Sequence, residues 1–171
     1  MIRKKGEPMT EAGALRRLET LCARSEHSEG ELLDKMRRWG LSDEEQTRIM
    51  EKLVKTHFVD DERFTEAFIH DKIVFNGWGR RKIEQGLWAK HVDEAVYTPL
   101  LDAVDESLYL DALRPLVRQK YRSVKAETEY ERAMKVIKYA IGRGFDFDQA
   151  RQCLDELAEE TDDKERSEED Y

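Results

Sequence analysis

Within Gly40-Leu41-Ser42-Asp43-Glu44-Glu45-Gln46-Thr47-Arg48-Ile49-Met50 the chain closes one helix and opens the next. Gly40 supplies the left-handed backbone that ends a helix without a Cβ penalty, and Leu41 packs. Ser42 with Glu45 then makes the reciprocal capping box that satisfies the first free amides of the following helix. The pattern recurs. Leu32, Met36, Leu41, Ser42, Ile49, Met50 and Leu53 return 51 positions later as Ile83, Leu87, Val92, Asp93, Leu100, Leu101 and Val104. A third copy, 53 positions further on, reads Val136, Ala140, Phe145, Asp146, Cys153, Leu154 and Leu157. Gly144-Phe145-Asp146 repeats the logic of Gly40-Leu41-Ser42, and His91-Val92-Asp93 keeps two of its three features.

Outward from these junctions the apolar residues hold a helical period. Tyr97, Leu100, Leu101 and Val104, and likewise Ala150, Cys153, Leu154 and Leu157, are spaced i, i+3, i+4, i+7. Leu110, Leu113, Val117, Tyr121 and Val124 continue one stripe over four turns. Further helix starts are marked by Ser28 with Glu31, Thr128 with Glu131, and the variant Asp146 with Gln149. A helix precedes each repeated pair, over 11–24, 61–75 and 106–122. Pro115 should kink or break the last of these, because it removes the bond to the carbonyl of Asp111. Gly86 is a second weak point.

The spacing therefore predicts an all-α fold: an elongated, modestly curved array of three tandem three-helix, helix-turn-helix-like repeats over 11–57, 58–104 and 105–157. One such unit buries little alone, so the copies must pack on their neighbours, and extended arrays of this kind are usually binding surfaces. Residues 1–10 are expected to be a disordered basic N-terminus and 158–171 a disordered acidic tail, which has no apolar residue between Ala158 and Tyr171.

Length and charge narrow the class. The chain has 171 residues, 40% charged, and a net charge of −8. Three quarters of that excess sits in 158–171, where eight carboxylates face Lys164 and Arg166 for a net −6. Residues 1–13 are +1, which leaves −3 for 14–157. No stretch approaches a membrane span, and the first ten residues lack the apolar core of a signal peptide, so a cytoplasmic protein is expected. Cys22 and Cys153 each fall in an apolar helical pattern and are read as buried small hydrophobes in a reducing compartment.

Little in the sequence suggests chemistry. His27, His57, His70 and His91 are scattered, without metal-ligand spacing. No Gly-x-Ser-x-Gly or Ser-x-x-Lys element offers an activated nucleophile. Gly77-Trp78-Gly79-Arg80-Arg81-Lys82 lacks Walker spacing and follows a helix, so it is read as a turn into the middle unit's second helix. The expectation is a protein without enzymatic activity, cofactor or metal. Hypothetical enzymes would need His57, His70 or His91 gathered with carboxylates in one cleft.

Cations remain. Arg114, Arg118 and Arg122, at i, i+4, i+8, make a ridge beside the apolar stripe of their helix. Arg132, Lys135 and Lys138 lie opposite Ala133, Val136, Ala140 and Ile141, and Arg80, Arg81 and Lys82 sit at a first turn with Trp78 exposed nearby. Such clusters can follow a phosphate backbone or an acidic protein groove, and they also arise by default in helices this rich in charge. Trp39 and Trp88 are expected to pack between units.

Phe58-Val59-Asp60-Asp61-Glu62-Arg63-Phe64-Thr65-Glu66-Ala67-Phe68 resembles the motif entering the middle repeat of the RecX family of RecA regulators. Gly79-Arg80-Arg81-Lys82-Ile83 is similar to that family's Gly-x-x-[Arg/Lys]-Ile segment. Leu15-Arg16-Arg17-Leu18, Ser28-Glu29-Gly30-Glu31-Leu32 and Arg143-Gly144-Phe145 also fit, so the resemblance covers roughly 14–157. Thr65 stands where the motif usually carries Ala. The resemblance implies a cytoplasmic modulator that lies in the groove of the RecA–DNA filament across several protomers, and a monomer is expected. It would restrain RecA's ATPase, strand exchange and coprotease activity, with DNA contact weak on its own. A helical DNA-binding module acting through the basic ridges without RecA is the alternative. Within the motif, Asp60 or Asp61 should cap a helix, Phe64 with Phe68 should fill core, and Arg63 should make an ion pair or a partner contact. Arg143 joins the candidate contacts through its own motif.

Overall fold

The computed structural model describes residues 8–169, and the described residues form nine α-helices and no strand. They are α1 (Glu11–Arg24), α2 (Glu29–Arg38), α3 (Asp43–Lys55), α4 (Asp61–Val74), α5 (Arg80–Ala89), α6 (Glu94–Asp102), α7 (Glu106–Ser123), α8 (Glu129–Gly142) and α9 (Phe147–Glu169). Of the expected N-terminal segment, residues 1–7 lie outside the described residues, and Thr10 caps α1 by accepting from the amide of Gly13 at 3.0 Å.

The repeat is written in the backbone. The amides of Leu41, Val92 and Phe145 donate to the carbonyls of Met36, Leu87 and Ala140 at 3.2, 3.1 and 3.1 Å, the long bond of a Schellman helix end. Before each of them the chain is left-handed, with φ of 77° at Gly40, 57° at His91 and 96° at Gly144. His91 thus adopts the conformation its sequence did not advertise, and its Nε2 lies 3.1 Å from Asp34 Oδ2. The capping box of Ser42 and Glu45 is complete, as is its variant between Asp146 and Gln149. The helices that end at these junctions keep the register: Leu32, Ile83 and Val136 are fully buried, and so are Met36, Leu87 and Ala140.

The chain forms two compact units. The first comprises Met1–Phe68 and Gly86–Asp102, the second Ile69–Gln85 and Ala103–Tyr171. In the first, Ala14, Leu18, Leu32, Met36, Leu41, Ile49, Leu53 and Val59 form the core. The start of α2 sits against the end of α5: Ser28 Oγ accepts from the amide of Glu31 and donates to the carbonyl of Lys90 at 2.8 Å. A Cβ on Gly30 would lie 2.4 Å from that of His91.

In the second unit, Leu110, Leu113, Val117, Val136, Ile137, Phe145, Ala150 and Cys153 are buried. The α4–α5 turn meets the α8–α9 turn backbone to backbone. The amide of Gly79 donates to the carbonyl of Arg143 at 2.9 Å and that of Arg81 to Gly144 at 3.1 Å.

Three expectations need correction. Helix α7 runs unbroken through Pro115, whose ring is exposed, so water can take up the carbonyl freed at Asp111. The acidic segment from 158 is helical as far as Glu169, while 170–171 lie outside the described residues. Extending a helix already nucleated by the buried Ala150 and Cys153 needs only propagation, and the segment holds neither Gly nor Pro. Trp88 is 74% exposed rather than packed, whereas Trp39 is half-buried beneath the Arg17 guanidinium, 4.9 Å from its ring centroid.

Candidate functional site

The Asp-Asp-x-Arg-Phe stretch is spent on structure. Asp60 Oδ1 accepts from the amide of Arg63, capping α4, while Asp61 Oδ1 accepts from the amide of Glu29 at 2.8 Å and caps α2 instead. Burial holds the Asp61 carboxyl above its ordinary pKa, and Glu29 is raised by burial and by Asp61. Arg63 pairs with Glu26 at 2.6 Å and donates to the carbonyls of His57 and Phe58. Phe64 is buried and its ring centroid lies 5.7 Å from that of Phe68. Thr65 is fully buried, its hydroxyl donating to the carbonyl of Asp61 at 2.7 Å, which accounts for a polar residue there.

Several candidate cations are likewise committed within the second unit. Arg143 donates to the carbonyls of Gly77 and Asn76 and lies over the Tyr139 ring, so it ties the α4–α5 turn to α8. Arg132 donates to the carbonyls of Tyr121 and Val124, closing the loop between α7 and α8. Lys135 donates to the carbonyl of Lys125 and pairs with Glu131 at 3.1 Å. On the α7 ridge, Arg114 holds Glu156 through Nε at 2.8 Å and Asp111 through Nη1 at 2.7 Å, and Arg118 reaches Glu160 at 3.5 Å. The Arg114 guanidinium keeps the Glu156 carboxyl below the usual carboxylate range. Only Arg122, at the exposed end of that ridge, has no ion pair among the described residues.

The turn into α5 keeps a basic and aromatic face. Trp78 is half-buried rather than exposed, with Lys72 Nζ and Lys82 Nζ each 4.7 Å from its ring centroid. Cations over an indole gain about 0.5–1 kcal/mol at such a site and are held in place by it. Arg81 is exposed at the position before Lys82, and Arg80 pairs with Glu84 at 2.8 Å. Lys138 is exposed on α8. The structure thus brings Trp78 and Lys82 together with Lys72, while Arg81 is exposed on α5, Arg122 on α7 and Lys138 on α8. Sequence reading missed Lys72; its place on the last turn of the helix before Trp78 was the available signal.

Among the described residues no group of three or more His, Cys, Asp and Glu side chains converges to hold a metal, and no helix is long and apolar enough to cross a membrane. Both cysteines are free; Cys153 is buried, which pushes its thiol up to about 11, and Cys22 is half-buried.

Two family models match in succession: the second three-helix domain of RecX over 60–97 and the third over 107–154, together about half of the chain. The regulatory protein RecX of Clostridium acetobutylicum is 28% identical over 137 residues, covering 78% of this chain and 63% of the relative. That of Chlorobium phaeobacteroides is 28% identical over 138 residues, covering 80% of this chain and 88% of the relative. The chain spans about three fifths of the length of the clostridial relatives it matches. The crystal structure of RecX from Lactobacillus salivarius superposes with a TM-score of 0.79 at 16% identity, over 86% of this chain and 96% of that one, which speaks to the fold. With the helical repeat, its two successive domain matches and relatives named as regulatory proteins in agreement, the chain belongs to the RecX family.

Proposed function

We propose that this protein is a non-enzymatic cytoplasmic regulator that binds the RecA–DNA filament as a monomer. It acts mainly to inhibit RecA's ATPase, strand exchange and coprotease activity, and so works in recombinational DNA repair and the SOS response. The observation that carries this reading is the succession of two RecX three-helix domains along 60–154. Three tandem three-helix repeats, divided near 57 and 104, would offer a series of similar helix faces to a partner that is itself a repeating polymer. Among the twelve candidate residues, the geometry favours Trp78, Arg81, Lys82 and Arg122 as contacts. Arg63, Arg114, Arg132 and Arg143 serve the fold first.

Arg81→Glu with Lys82→Glu is expected to weaken binding to preformed RecA filaments about tenfold at low salt while leaving the helical circular dichroism unchanged. Unchanged binding would remove this face from the reading. A second reading, direct DNA binding, draws on the same Lys72–Trp78–Lys82 cluster, since cations beside an indole suit a phosphate backbone and a base face. Fluorescence anisotropy with DNA alone across a salt series separates the two: tight binding with a steep salt slope favours DNA, weak binding favours the filament.

A further inference from the structure

Helix α8 has a second apolar stripe that the fold leaves largely uncovered. Tyr130, Met134, Ile137 and Ile141 stand at i, i+4, i+7 and i+11, and Phe147 at the start of α9 joins them. Ile137 is buried, but Tyr130 is 76% exposed and Met134, Ile141 and Phe147 are each more than 40% exposed. Together they line an open groove of about 570 Å³, with Glu131, Lys135 and Lys138 as its charged wall. A contiguous apolar surface of this kind is seldom left to water without a partner.

We propose that this groove docks an amphipathic helix of a partner protein, with an apolar face of three or four anchors and a carboxylate beside it. Shape and charge argue for that occupant. From Tyr130 to Ile141 the stripe covers three turns, about 16 Å, which is the footprint of a short helix laid in a groove. It is far smaller than the roughly 20 to 30 residues a side that a stable interface between folded copies requires. In the wall, the Glu131 carboxylate accepts from the amide of Glu127 and pairs with Lys135, whose ammonium also donates to the carbonyl of Lys125. Those two charges cancel. Lys138 is left as the net charge beside the stripe, and it selects an acidic neighbour. The inference does not depend on the basic face at Trp78, which is built from other residues.

The test titrates the full chain against two labelled helical peptides of about 18 residues with identical leucine stripes, one flanked by Glu and one by Lys. The Glu-flanked peptide is expected to bind about tenfold more tightly at low salt. Met134→Glu or Ile141→Glu, both at exposed positions, should abolish binding without change in circular dichroism, and Lys138→Glu should reverse the preference between peptides. Equal binding of the two peptides, or binding untouched by Met134→Glu and Ile141→Glu, would overturn the proposal. So would sedimentation showing that the stripe instead joins two copies of the chain, or co-sedimentation with anionic vesicles that is lost in Ile141→Glu while neither peptide binds.

Discussion

Gly79 and Gly144 decide how the second unit closes. A Cβ on Gly79 would stand 2.3 Å from the carbonyl carbon of Gly144 and the nitrogen of Phe145, and one on Gly144 would stand 2.5 Å from the amide nitrogen of Lys82. Both obstacles are backbone, so neither can move aside cheaply. Gly79→Ala should therefore cost roughly 3 kcal/mol or more in denaturant unfolding. Gly40→Ala is the contrast, because nothing lies within 4 Å and only φ of +77° opposes it; about 1–2 kcal/mol is expected. The glycine of a helix end was legible in sequence, whereas a backbone crossing 65 positions away was not. Asp61 makes the same point: its fitness as a cap could be read, but not that it caps a helix starting at Glu29. Burial also makes Cys153 inert, its thiol pushed up to about 11. A thiol reagent at pH 8 should label Cys22 first and Cys153 only as the chain unfolds. Equal labelling rates in the native protein would contradict its buried placement.

Helices α7 and α9 show where amphipathic spacing stops being informative. The i, i+4, i+8 arginines were legible as a ridge, yet Glu156 and Glu160, which neutralise two of them, sit on another helix 42 positions on. Removing Arg114 would therefore strip a carboxylate of its partner as well as a cation from the surface. Glu156 has a folded pKa held below its unfolded value, so its contribution is present above the ordinary Glu range near ~4.3 and fades as pH falls through the folded value. Both side chains are about one-third exposed, which limits that contribution to under ~1 kcal/mol. Glu156→Gln should lower Tm slightly at pH 7 and not at pH 3; an equal loss at both would point to packing instead of charge. Pro115 is tolerated within α7 at the cost of one hydrogen bond, so Pro115→Ala should raise stability by about 1–3 kcal/mol. Among the described residues, truncation after Ala158 removes only exposed ones together with the Arg118–Glu160 pair, and it should leave Tm nearly unchanged. The helical state of that segment was not legible because its sequence has nothing to bury; α9 supplies the nucleus from outside it.

Over the whole molecule the triple repeat was the legible part, since each copy carries its own apolar register, helix end and cap. Which cations remain available was not, because their partners lie in other repeats or other helices of the same unit. Around Trp78 the structure gathers the ammonium groups of Lys72 and Lys82, a narrower basic and aromatic cluster than the sequence suggested. The full chain titrated into RecA assembled on single-stranded DNA, with ATP hydrolysis as the readout, addresses the proposed role most directly. Hydrolysis should fall progressively and be largely suppressed at protein levels near or below those of RecA; hydrolysis unchanged at equimolar protein would contradict it.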